Sequence, residues 1–150
     1  MSVFYKYEII SQIRIFSVIV ILGMTSCGLI QDIFYPFGTI DWHSNLEEAK
    51  KAENERPILL FFHSEFVCPY CQKVIKNILP NPSFVEKSKY FNCVHYNIEE
   101  APEQVRQFQI SAHPAFLVLD KDGNVLDKTV GYDLHQTLNL MERYIMDKDH

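Results

Sequence analysis

An α/β fold, a central mixed β-sheet flanked by helices on both faces, is predicted by three features of this chain. Apolar runs and helix signals alternate in the order αβα(α)βαββα. The run Ile58-Leu59-Leu60-Phe61-Phe62 is apolar without alternation, as in a strand covered on both sides. Asp122-Gly123 separates two short apolar runs, and so tight a connection makes an antiparallel hairpin. Strands joined through helices favour parallel pairing, so the sheet is mixed.

Each element has its own signal. Ser44-Asn45-Leu46-Glu47 reads as a capping box, which starts a helix running through Glu48, Ala49, Lys50 and Ala52 and stopping before Pro57. A buried strand follows at residues 58–63. The helix opened by Cys68-Pro69-Tyr70-Cys71 ends before Pro80-Asn81-Pro82. Pro69 suits the first turn, because its missing N–H has no partner there and its φ is already helical. Ser83 is placed as the cap of a short helix carrying Phe84 and Val85. Residues 90–98 are rich in aromatic and β-branched side chains and read as a strand. Pro102 opens a helix reaching about Gln109. Residues 115–119 and 125–130 form the hairpin. Asp133 caps a last helix in which Leu134, Leu138, Met141 and Ile145 recur at helical spacing.

Residues 1–27 read as a targeting segment. Lys6 and Arg14 precede an apolar stretch at 15–24 that is too short for a comfortable membrane span, followed by small residues and Cys27-Gly28. Met24-Thr25-Ser26-Cys27 resembles a bacterial lipoprotein signal, which implies lipidation of Cys27 and a membrane anchor. Met24 stands where that pattern prefers Leu, and Glu8 dilutes the basic region. A plain secretory signal, an uncleaved anchor and a buried helix are the alternatives. Residues 28–41 read as a spacer and residues 42–148 as one domain. The net charge is −5, and no basic stripe is left to track phosphates, which argues against nucleic-acid binding.

The chemistry-bearing motif is Cys68-Pro69-Tyr70-Cys71. A strand that delivers Cys68 to a helix N-terminus places its sulfur where free N–H groups and the helix dipole favour an anion. The thiolate is the reactive form of cysteine, so this position lowers the thiol's pKa and makes a nucleophile. Cys71, one turn on, is close enough to close a disulfide. The spacing alone is equally half of a zinc site. Export would place the pair where disulfides persist.

In this motif, in residues 57–63 before it, and in the later Ile110-Ser111-Ala112-His113-Pro114-Ala115-Phe116, the chain resembles the thioredoxin superfamily, above all its extracytoplasmic thiol:disulfide proteins. The likeness spans about residues 42–146 and implies a thioredoxin fold, with a first edge strand near residues 36–42. It implies Cys68 as attacking thiolate and Cys71 as resolving thiol. Pro114 is implied to be cis and to face the sulfurs, with Pro69, Tyr70 and His113 bordering bound substrate. The implied partners are protein dithiols or disulfides and an upstream membrane electron donor or acceptor. The protein is expected to be monomeric and periplasmic, and to need no cofactor or metal. Gly131 resembles the family's glycine after the last strand.

There are also departures. His113 replaces the commoner Thr or Val, and its imidazole either assists Cys68 or merely borders the groove. Phe62 stands where thioredoxins often carry a buried Asp, and Val67 where they carry a Trp. His63 and Glu65 are read as solvent-facing. Cys93 is read as a buried, inert thiol, and Trp42 and Tyr132 as packing residues. The main rival function is a copper- or zinc-binding module on the same fold, using Cys68, Cys71 and His113. An interaction module that keeps the fold without the chemistry is a third reading.

Overall fold

Ile58–His63, strand β2, has all six side chains buried because it lies in the middle of the sheet. The computed structural model describes residues 40–145. By its contacts the chain divides into Met1–Pro36 and Phe37–His150, and the described residues belong to the second unit. The targeting segment, Cys27, most of the spacer and residues 146–148 lie outside them. The five strands run β1-β3-β2-β4-β5, with β1 at Trp42–His43, β3 at Asn92–Asn97, β4 at Ala115–Leu119 and β5 at Val125–Val130. β3 is parallel to both β1 and β2, whereas β4 is antiparallel to β2 and to β5. This is the thioredoxin fold, as predicted.

Side-chain alternation in β2 and β4 divides the core into two layers. Leu59, Phe61, Phe116 and Val118 face one side of the sheet. They pack there against Val74, Ile75, Ile78 and Leu79, against Phe84 of α3 (Pro82–Ser88), and against Leu140 and Met141 of α5 (Leu134–Ile145). Ile58, Leu60, Phe62, Leu117 and Leu119 face the other side, under Leu46 and Ala49 of α1 (Leu46–Lys51) and under Phe108, which follows α4 (Pro102–Gln107). Each of these large side chains stabilises the fold by about 1.5–3 kcal/mol through the apolar surface it removes from water. Among the described residues, no helix is long and apolar enough to cross a membrane.

Several local readings shift. Asn45, not Ser44, caps α1 by accepting from the Glu48 N–H at 2.9 Å. Ser44 instead donates its N–H to Glu48 Oε2, and its hydroxyl pairs with the same carboxylate. Asn81, not Ser83, caps α3, because Pro82 takes the first helical position and puts the cap just before it. The first edge strand is only two residues long. Ile40, at the end of the stretch read as spacer, is buried in the first core layer. The helix that begins at Pro69 (α2, Pro69–Lys73) continues as a π-helical turn, Val74–Ile78, with the Leu79 N–H bonded to the Val74 carbonyl. In that arrangement Val74, Ile75, Ile78 and Leu79 all reach the core.

The turns are held by side chains. Asp120 accepts from the backbone N–H groups of Asp122 and Asn124 at 3.0 and 2.8 Å, closing the hairpin loop. Gly131 has φ +106, a conformation L side chains rarely adopt, and its N–H reaches the Pro114 carbonyl at 2.8 Å. Asp133 caps α5 through the Gln136 N–H at 3.0 Å. Asp133→Ala is therefore expected to cost about 1 kcal/mol and to lower the thermal midpoint by about 4 °C or more, while thiol exchange at Cys68 is unchanged.

Candidate active site

β2 ends at His63, and a short loop leads from it to Cys68 at the head of α2. Two residues of that loop, Phe66 and Val67, are 79% and 76% exposed, so an apolar rim stands beside the motif. Cys68 is the N-cap of α2, with extended backbone, and its Sγ accepts the Cys71 N–H at 3.0 Å. Helix-end N–H groups are unpaired by construction, and here one of them is aimed at sulfur. Cys68 and Cys71 form a disulfide with Cα atoms 5.2 Å apart. Cys68 keeps 8% of its surface and Cys71 none, so Cys68 is the sulfur a partner can approach. The Ser64 N–H donates to Cys71 Sγ at 3.4 Å.

Opposite the pair lies the turn before β4. The His113–Pro114 peptide bond is cis, and the His113 carbonyl oxygen is 3.8 Å from Cys68 Sγ. A ring nitrogen of His113 and the two sulfurs lie within 4.8 Å of one another. Tyr70 is 59% exposed on the outer face of α2, with Lys73 5.3 Å above its ring. Lys73 also stands 5.8 Å over Tyr132, whose hydroxyl accepts from Asn77 at 3.0 Å. Tyr132 thus braces the helix. Trp42 packs against the core and sits edge-on to His95 at 5.2 Å.

Beneath the motif the polar groups are arranged differently from the sequence reading. Glu65 is exposed, as expected, but His63 is fully buried. Its ring stacks on Phe61 at 5.1 Å, and its Nε2 lies 3.3 Å from His95 Nδ1. Burial, reinforced by His95, pushes the His63 pKa down to about 4. Phe62 faces away into the second core layer, so no carboxylate occupies that position. The sequence reading missed Ser64 and Glu99. Ser64 is buried and donates its hydroxyl to Glu99 Oε1. That bond is the largest influence holding the Glu99 carboxyl below its usual range. Cys93 is buried, donates to the Ser88 carbonyl at 3.6 Å, and is pushed up to about 12 by desolvation, which makes it an inert thiol at neutral pH.

A sulfur with a small accessible surface at a helix start, a fully buried sulfur one turn on and a cis-proline turn facing both define a dithiol–disulfide site on the thioredoxin fold. The chain belongs to the thioredoxin-like domain family, whose model matches residues 44–144. Among solved structures it is similar to a DsbH oxidoreductase, at 17% identity and TM-score 0.60, over 73% of this chain and 89% of that one. A thioredoxin from Thermus thermophilus is 21% identical with TM-score 0.61, over 70% and 86% of the two chains. The oxidised thioredoxin from Plasmodium falciparum is 20% identical with TM-score 0.54, over 71% and 99%. At these identities the likeness concerns the fold. No curated protein matches the chain.

Proposed function

We propose that the protein is a thiol:disulfide oxidoreductase that reduces extracytoplasmic protein disulfides. In this reading it is held at a membrane through a lipid on Cys27, acts as a monomer and is recharged by an upstream membrane electron donor. The observation that carries the reading is the asymmetry of the pair: Cys68 at the helix cap keeps 8% of its surface, while Cys71 beneath it keeps none. Cys68 thiolate attacks a partner's disulfide, and the partner's first sulfur leaves as a thiolate. Cys71 then attacks Cys68 Sγ, closing the Cys68–Cys71 bond and releasing the second sulfur. The His113 carbonyl beside Cys68 offers an extended partner segment a backbone acceptor, with Pro69, Tyr70 and Pro114 lining the approach. The direction is proposed as reducing. Among the described residues the sulfurs' hydrogen-bond donors are the backbone amides of Ser64 and Cys71, and a ring nitrogen of His113 lies within 4.8 Å of both sulfurs. A protonated His113 would stabilise the reduced form and raise the potential, so the measured potential decides the direction.

The convergence of Cys68, Cys71 and His113 supports a second reading, a soft-metal site of two thiolates and an imidazole for Cu(I) or Zn(II). One experiment addresses both. The full chain in detergent is equilibrated with glutathione or dithiothreitol buffers, and the thiols of Cys68 and Cys71 are counted by alkylation and peptide mass. A potential near about −270 mV is expected. A value of about −180 to −120 mV would make the protein an oxidant or isomerase. Copper or zinc retained stoichiometrically by the reduced chain through dialysis, and lost in His113→Ala, would replace the redox reading with the metal one.

A further inference from the structure

Cys71 must act as a thiolate in a place that has no exposed surface, where an anion is poorly solvated. The sequence position at which the thioredoxin resemblance places a buried Asp carries Phe62, turned into the opposite core layer. Among the described residues the hydrogen bond to Cys71 Sγ from outside its own helix comes from the Ser64 N–H. The aim of that amide depends on how Ser64 is held. Its hydroxyl accepts the Val67 N–H at 3.5 Å and donates to Glu99 Oε1, so one oxygen ties the motif's loop to a carboxylate 35 residues away in sequence. Glu99 is itself fixed to the sheet. Its N–H reaches Asn97 Oδ1 at 3.4 Å, and the Ile98 N–H bonds the His63 carbonyl at 2.9 Å, just beyond the last β2–β3 pair, His63 and Asn97.

The geometry points to Glu99 as a positioning residue for the resolving thiol: acting through the Ser64 hydroxyl, it holds the Ser64 amide on Cys71 Sγ. This rests on the oxidoreductase reading. In the step concerned, the Cys71 proton goes to water and the thiolate attacks Cys68 Sγ. The Cys68–Cys71 bond forms, and the partner's sulfur leaves with the electron pair of the old bond. The amide carries part of the charge on Cys71 before that transfer, and in the reverse step it stabilises Cys71 as the leaving thiolate. Glu99 touches neither sulfur, and its own side chain is exposed, so replacing it leaves the core intact.

The test separates the two steps with a small aromatic disulfide, 5,5′-dithiobis(2-nitrobenzoate), mixed with the reduced full chain at pH 7. Acid quenching and peptide mass read the Cys68 adduct and the Cys68–Cys71 disulfide individually over time. In Glu99→Ala, formation of the adduct by Cys68 is expected within twofold of the unaltered rate, while its resolution by Cys71 slows about tenfold, the scale of one hydrogen bond lost. Ser64→Ala should slow the same step. Glu99→Gln, which still accepts from the Ser64 hydroxyl, should restore it. An unchanged resolution rate in Glu99→Ala would overturn the assignment. So would equal slowing of both steps, or a Gln variant as slow as the Ala one. Failure of Cys71 to close onto Cys68 in the unaltered protein would overturn the oxidoreductase reading together with it.

Discussion

Cys71→Ser is expected to accumulate partner proteins as mixed disulfides on Cys68, while Cys68→Ser accumulates none and loses exchange by about a thousandfold or more, because a hydroxyl supplies no thiolate. The difference follows from burial. Cys68 keeps 8% of its surface, an opening through which a partner disulfide can reach it, whereas Cys71 is fully covered. Removing Cys71 leaves Cys68 at its helix cap, still accepting the residue 71 N–H. The hydroxyl introduced there has nearly the volume of the thiol and an amide, Ser64 N–H, ready to donate to it, so the fold should tolerate it. What is lost is the second attack, and the covalent intermediate persists. Non-reducing electrophoresis of membrane extracts, with release of the adducts by dithiothreitol, reads both variants. Equal trapping by Cys68→Ser would overturn the assignment of separate roles to the two cysteines.

The parts of this site that were legible in the sequence are those fixed by backbone chemistry. Pro69 and Pro114 each constrain the chain wherever they stand, and Gly131 occupies a φ that only glycine takes readily. Strands β2 and β4 were legible because a short unbroken apolar run, too brief for a buried helix and preceded by Pro57 or Pro114, suits a covered strand. What stayed hidden depends on register and depth. His63 at the end of an apolar run looks like the point where a strand meets water, and only the central place of β2 puts it under cover. Glu99 sits in a run of acidic residues that reads as solvated surface. The register Phe62↔Tyr96 and His63↔Asn97 brings it beside Ser64, and no spacing in one sequence encodes that offset. The π-helical turn was equally invisible, since apolar residues at 74, 75, 78 and 79 suit an ordinary helix as well.

His63 also sets the second large effect, a loss of stability in mild acid. Its ring is fully buried, stacked on Phe61, which in turn stacks on Phe116 at 4.6 Å. Desolvation is the main reason its pKa falls to about 4; His95 pushes it the same way and Glu99 opposes it. In the unfolded chain the ring titrates near the ordinary value of about 6.5. Between these limits the unfolded chain holds a proton that the native protein does not, so stability rises with pH across the window. The contribution is complete above about pH 6.5 and is lost as pH falls toward 4, in all about 3 kcal/mol. His95, also lowered by burial, adds in the same direction. The carboxylates held low, Glu48, Glu99, Asp120 and Asp127, stabilise the fold through most of this window and begin to lose that contribution only at its lower end, from about pH 5 down. Urea unfolding at pH 7 and pH 4.5 should therefore show a drop of about 2–3 kcal/mol in the unaltered protein. His63→Phe keeps a ring against Phe61 but removes the proton site, and most of the drop should vanish whatever the variant's stability at pH 7. His63→Gln, uncharged but able to hydrogen bond to His95, should flatten the profile in the same way. An undiminished drop in both variants would place the acid sensitivity elsewhere, in the carboxylates or in His95 alone.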